Sequence, residues 1–415
     1  MITQKEKEIL RRLAFSQREI AESAQMSKLM SDWKKHGSFA SDRRPMVTIE
    51  LWTFSQDIIP SMMECENEEA RAIEWQLRSN LANHVLFDDD SIVRPYWPIT
   101  VPSTFVPFGI EVKTEHANDS TGGDLGHHFI SVIHDLADDF HLLKPSVMSV
   151  NHETVKTEEA RLFDLFGDIL PTKRVCNSIN LSPMQNIVHI MSMEDMYMAM
   201  YDYPDEFHQM MQMQTDDMMR YLDLLETEDT LLPTTAEQHL CQGSYCFTDA
   251  LPSDKEHVKV SDIWGYLDSQ ETSSISPDMF KEFVWPYYKK LGDRFGRLSY
   301  GCCEPVHPLF DSCLHEFENL GKISISPWCD EAFMGERLRG KQIVYLRKPS
   351  PNLIGVQSEL DEDAVRAHFK QTAQAACGCT LEFAQRDVYH IHNTPDKVKR
   401  YVSLIREAYE TWWRP

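Results

Sequence analysis

The sequence predicts an α/β protein of the (β/α)8 TIM-barrel class, preceded by an N-terminal helical extension. Three observations lead there. From residue 130 onward, short apolar runs alternate with helix-patterned segments, which is how βαβ units around a parallel sheet read in one dimension. Counted from Met46, about eight strand–helix units fit the chain, the number that closes a barrel. No GxGxxG or GxxxxGK[ST] turn is present, so a doubly wound nucleotide-binding sheet would lack its first turn. The 415 residues, 42% of them hydrophobic, supply core enough for one large domain. The expected boundaries are a helical extension over 1–45 and the barrel over 46–415.

Residues 3–36 carry Leu10, Leu13, Ile20, Met26, Leu29 and Trp33 at helical spacing, stopped by Gly37 and Ser38. MVTIELW (46–52) is β-rich and is the expected first strand. A helix follows over 66–82. Residues 92–112 hold four prolines and the aromatics Tyr96, Trp97, Phe105 and Phe108, a strand leading into a long extended loop. The polar, glycine-containing stretch 114–126 is the expected mobile segment, with His127 and His128 read as loop histidines. A run at 174–179 follows the helix at 158–166. Residues 193–225 form a methionine-rich helix, read as core or as an interface filler. The run at 239–247 brings His239, Cys241 and Cys246 together at what would be the bottom of a barrel, where residues more often serve stability. Ser276-Pro277 is an N-cap and N1 pair opening the next helix. Runs at 298–304, 322–326, 342–346 and 380–388 alternate with helices at 361–376 and 395–413.

The formal charge of −24, from 65 acidic and 41 basic residues, argues against a nucleic-acid partner, which needs basic surface. No apolar run approaches the roughly 18 residues of a membrane span, and the charged N-terminus has no signal-like apolar stretch, so a cytoplasmic protein is expected. The ten cysteines are read as free thiols or ligands. Two pairs are tight, Cys302–Cys303 and Cys377–Cys379, and neither has the CxxC spacing of a structural zinc module.

Reactive residues cluster at the C-terminal ends of the last runs, where a barrel carries its chemistry. If 298–304 is a regular strand, alternation puts Leu298, Tyr300, Cys302 and Glu304 on one face. Turned inward, Tyr300 and Glu304 would be catalytic groups. Cys302 with Glu304 could ligate a metal, Cys302 could be a nucleophile, or Glu304 a general acid. Trp328, Cys329 and Asp330 end the next run, Trp328 as a pocket wall and Asp330 as a helix cap or substrate contact. Arg347 and Lys348 end the one after, cations suited to a carboxylate. Arg386, Asp387, Tyr389, His390 and His392 crowd the end of the last.

SYGCCEPVHPLFD, ISISPWCD, VYLRKPSP and LEFAQRDVYHIHNTPDKVKRYV, with RRPMVTIELW and FGIEVKTEH upstream, resemble the uroporphyrinogen decarboxylase superfamily, in its branch related to corrinoid-dependent methyltransferases. The resemblance implies a TIM barrel with its site at the C-terminal face. It also implies methyl transfer between a small O- or N-methyl compound and a corrinoid (cobalamin) carried by a partner protein, with Glu304 protonating the leaving atom. Zinc would be held by Cys302, Glu304 and His390 or Asp387. In the zinc-dependent members the strand motif is His-x-Cys; here it reads Tyr300-Gly301-Cys302. The arginine-rich motif of the true decarboxylases is absent after the first strand, where Glu50-Leu51-Trp52-Thr53-Phe54 stands, which argues against porphyrinogen decarboxylation. The expected catalytic residues are thus Glu304, Tyr300 and Asp387, and the expected substrate contacts Trp328, Arg347, Arg386 and Tyr389. The expected partners are a small methylated substrate and a corrinoid protein, with a homodimer as the candidate assembly and neither nucleic acid nor membrane. The alternatives are a decarboxylase or lyase holding a small carboxylate with Arg347 or Arg386, and a non-catalytic ligand-binding member.

Overall fold

The computed structural model describes residues 1–118 and 124–415. The centre of the stretch expected to be mobile, 119–123, lies outside the described residues, and its flanks Thr114–Asn118 and Asp124–Phe129 pair as an antiparallel hairpin. Seven parallel strands make the principal sheet: β1 (Met46–Ile49), β2 (Ile179–Asn180), β3 (Trp264–Leu267), β4 (Arg297–Tyr300), β5 (Leu320–Ile325), β6 (Val344–Arg347) and β7 (Thr380–Gln385). Their spatial order is β1-β7-β6-β5-β4-β3-β2, so every strand from β2 to β7 lies beside its sequence neighbour, and β1 pairs with β7. Each of these parallel neighbours is joined to the next through helix-containing chain, as parallel pairing requires.

The count differs from the eight expected units: the sheet has seven strands among the described residues, and its edges β1 and β2 do not pair with each other. The run at 239–247 is not a sheet strand. Its segments His239–Leu240 and Ser244–Tyr245 form a tight antiparallel hairpin. Gly243 turns it with φ +81°, the left-handed region that glycine enters without strain. The hairpin ties the two edges together. The Thr48 hydroxyl of β1 donates to the Gly243 carbonyl at 2.7 Å, and the Ser178 amide beside β2 donates to the His239 carbonyl at 3.0 Å. The sequence pattern did not separate hairpin from strand because both alternate with period two.

The sheet has two distinct sides. Towards the hairpin point small and polar groups, among them Thr48, Ser324, Lys322 and Glu382. Towards the helices point Ile323, Ile325, Tyr345, Leu381 and Phe383, part of the main core. Lys322 and Glu382 are almost wholly buried and bridge at 2.7 Å; the Lys322 ammonium also donates to the Ser244 hydroxyl of the hairpin at 2.7 Å.

The extension at 1–45 is two helices rather than one, α1 (Gln4–Ala21) and α2 (Ala24–Gly37), broken where Ser23 caps α2. α1 packs on α3 (Glu68–Ala82) and α2 on the hairpin, through a second core around Trp33, Leu77, Phe166, Tyr245 and Phe247. α2 also meets the β7 end: the His36 ring bonds the Leu381 carbonyl at 3.1 Å, and its Nδ1 lies 4.0 Å from Glu382. Burial pulls His36 down to about 4, so it is neutral there. Most methionines of Met193–Asp202 and Pro204–Thr227 are buried core, as with Met196, Met200, Met210, Met211 and Met218. Among the described residues no helix is long and apolar enough to cross a membrane.

Candidate active site

Because the sheet is wholly parallel, all C-terminal strand ends emerge at one end. Glu50 follows β1, Ser182 follows β2, Asp268 and Ser269 follow β3, Cys302 to Glu304 follow β4, Lys348 follows β6, and Arg386 with Asp387 follow β7. These side chains converge.

The regular alternation expected across 298–304 does not hold. β4 ends at Tyr300, and Gly301 takes φ +98°, where a Cβ would stand 3.0 Å from Val306 and 3.1 Å from Ser324. That residue resets the side-chain direction. Leu298 and Tyr300 face the helical layer. The Tyr300 ring packs near Tyr288 and Phe317, its hydroxyl meets Ser269 at 2.6 Å, and burial holds it well above the ordinary phenol range. Past the glycine, Cys302 and Glu304 turn into the convergence.

Glu304 is 2% exposed. Its carboxyl accepts from the Ser269 amide at 3.0 Å and from the Cys302 amide at 2.7 Å. Burial, reinforced by the charges of Asp268 and Cys302, pushes it up to about 8. Cys302 moves the other way, down to about 6. A hydrogen bond shared with the Cys303 sulfur, at an Sγ–Sγ distance of 3.5 Å, is the main cause, and the Lys348 and Arg386 cations add to the effect. The Arg386 guanidinium lies 3.3 Å from the Cys302 sulfur and bonds Glu50 at 3.1 Å and Asp387 at 3.4 Å. Lys348 is buried and donates to the Gly301 carbonyl at 3.2 Å; burial lowers its pKa. Asp387 holds φ +58°, which brings its carboxylate within 3.5 Å of the Cys303 sulfur. The thiol is thus pushed towards its ionised form and the adjoining carboxyl towards its protonated one, an arrangement that separates the roles of base and acid. The ultraviolet absorbance of the thiolate should titrate with a midpoint near pH 6 and vanish in Cys302→Ser. A midpoint at the ordinary thiol value of ~8.5 would contradict this arrangement.

Above this cluster lies a cavity of about 810 Å³. Phe129, Val188, Met193, Pro305 and Trp328 supply apolar walls, with Cys303, Glu271, His128 and His189 among the polar lining. Glu271 is buried, and burial with the charges of Asp268 and Cys302 pushes it up to about 7. A second cavity of about 480 Å³ opens between β1 and the hairpin, lined by Glu50, Arg94, Tyr96, His239, Cys241 and Gln242 among others.

Of the residues singled out in the sequence, Cys302, Glu304, Arg386 and Asp387 come together. Trp328 lies at the cavity, 73% exposed. Tyr389 is exposed and is not in the cavity lining. Arg347 faces the helical layer, where its guanidinium pairs with Glu331 at 2.9 Å and donates to the Ile325 and Ser326 carbonyls. His390 is exposed and bonds Asp57 at 3.2 Å, away from Cys302. Among the described residues no group of three His, Cys, Asp or Glu side chains is placed to hold a metal ion. Both Glu304 oxygens already take backbone amides. The expected zinc set Cys302, Glu304 and His390 is therefore not assembled, and the residues as arranged do not fit zinc. Asp268 and Glu271 were not foreseen. Asp268 accepts from the Tyr266 hydroxyl at 3.0 Å and from the Ser182 hydroxyl. The readable signal was WGYLDSQE, a β-rich run ending on two carboxylates.

No protein-family model matches the chain, and no curated protein matches it. Among solved structures it is similar to a methyltransferase from Methanosarcina mazei, with a TM-score of 0.49 and 14% identity over 92% of this chain and 99% of that one. A likeness of this size does not bear on what the chain binds or does.

Proposed function

We propose that the protein is a methyltransferase that moves a methyl group between a small O- or N-methyl compound and a corrinoid-carrying partner protein. The observation that carries this reading is the cavity. It sits at the C-terminal end of a parallel sheet, beside an acid and a thiolate, and among the described residues no Lys or Arg lines it. A site for a carboxylate substrate would present a cation. Of the two arginines that a small-acid decarboxylase would use, Arg347 pairs with Glu331 on the helical side, and Arg386, within the cluster, is already neutralised by Glu50 and Asp387. The motif resemblance in the β4, β5, β6 and β7 segments points the same way.

In this reading the apolar walls orient the methyl donor and exclude water. Glu304, held protonated up to about pH 8, is the store of the proton that a departing alkoxide requires. Lys348 and Arg386 hold the Cys302 charge in place beside it, so the acid and the thiolate do not exchange roles. The corrinoid, brought by the partner over the open face, supplies the methyl-exchanging centre when bound. The purified protein should convert added cob(I)alamin to methylcobalamin with at least one member of a panel of O-methyl and N-methyl compounds. Absence of methyl transfer across the panel, to free cobalamin and to a corrinoid protein alike, would overturn the reading.

A further inference from the structure

We infer that the cavity above Cys303 binds a methylated ammonium ion, with Glu271 as its counter-ion. The inference deepens the methyl-transfer reading and rests on it for what happens to the ligand, but the binding itself stands on the cavity.

Among the described residues, Glu271 is the only Asp, Glu, Lys or Arg in the cavity lining. It is 6% exposed, makes no ion pair among the described residues, and its Oε2 has no hydrogen-bond partner. Its backbone is firmly held, since the Glu271 carbonyl accepts from the Tyr197 hydroxyl at 2.6 Å. Gln270 and its own backbone amide support the carboxyl, but no cation does, and a buried carboxyl with one oxygen unpaired is costly unless a ligand completes it. The neighbouring wall suits a cation too. Trp328, 73% exposed, offers an aromatic ring, to which ammonium groups are drawn, Phe129 packs on His189 at the wall, and Met193 offers a polarisable sulfur. The protein's charge of −24 favours approach of cations over anions. Asp268 and Cys302 add negative potential behind Glu271, while His128 and His189 share the cavity. An ammonium donor also suits the chemistry: when its N–CH3 bond breaks, the electron pair stays on nitrogen and the amine leaves neutral. Such a donor needs no proton at departure, and Glu271 can remain ionised throughout.

The test is calorimetric binding of choline and of its neutral isostere 3,3-dimethylbutan-1-ol, near pH ~8, where an ordinary imidazole is uncharged. The wild-type protein should bind choline at least tenfold more tightly than the alcohol. Glu271→Gln should remove most of that preference while leaving alcohol binding unchanged, and Glu271→Asp should restore part of it. Thermal unfolding of each variant checks the fold. Equal binding of the two probes, no choline binding, or a preference that survives in Glu271→Gln would overturn the inference. Methyl transfer from neutral O-methyl donors with no choline binding would leave the methyltransferase reading standing and remove this one.

Discussion

With an O-methyl donor, whose alkoxide must be protonated, Glu304→Gln should lower the rate of methyl transfer by about 10²–10⁴-fold, the usual contribution of a positioned general acid, whereas a methylated ammonium donor should be little affected. The substitution keeps shape and removes the titrating proton. It also presents one oxygen to two backbone amides, from Ser269 and Cys302, that the carboxyl now satisfies together. A stability loss of about 1–3 kcal/mol accompanies an amide left without its acceptor, so the variant must be assayed where it is folded. The pH profile distinguishes the two effects. In the wild type, activity with an O-methyl donor needs the Glu304 acid, so it should fall as the pH rises through about 8. In Glu304→Gln the residual activity should lose the alkaline fall. A profile that keeps it would assign that limb to another group.

Lys322→Met should destabilise the protein by about 3–5 kcal/mol, the cost of stranding one member of a buried ion pair. Lys322 is 2% exposed and its partner Glu382 is fully buried. Without the ammonium, Glu382 faces only His36, which burial keeps neutral. The Ser244 hydroxyl loses its donor as well. The double variant Lys322→Met/Glu382→Leu removes both charges and should recover most of the loss in urea unfolding. Equal stability of the single variant and the wild type would show that the pair is dispensable.

Much of the architecture could be read from the one-dimensional pattern, because parallel strands buried on both sides read as apolar runs and their helices as periodic stretches. β1, β4, β5, β6 and β7 were legible this way. β3 was not singled out, although WGYL is as β-rich as its neighbours. The hairpin at His239–Tyr245 was misread, because period-two alternation does not tell a strand in the sheet from one beside it. At the site, position at a strand end found Cys302, Glu304, Arg386 and Asp387. Direction was harder. Arg347 and Tyr300 stand at strand ends too, but the register of pairing turns both towards the helices. The change of direction at Gly301 depends on one backbone angle, which no pattern of residue types displays. His390 and Tyr389 lie beyond β7, in chain that turns outward.

The hairpin, α2 and the Lys322–Glu382 pair belong together, and this has a consequence for how the protein comes apart. Residues near 36, 244, 322 and 382 are far separated along the chain, yet each contributes a contact to the same buried junction. Opening any one exposes the charges of the others to water. The segment 1–45 therefore behaves as part of one cooperative unfolding unit with the sheet. It is a keel, and trimming it would release the seam between β1 and β2.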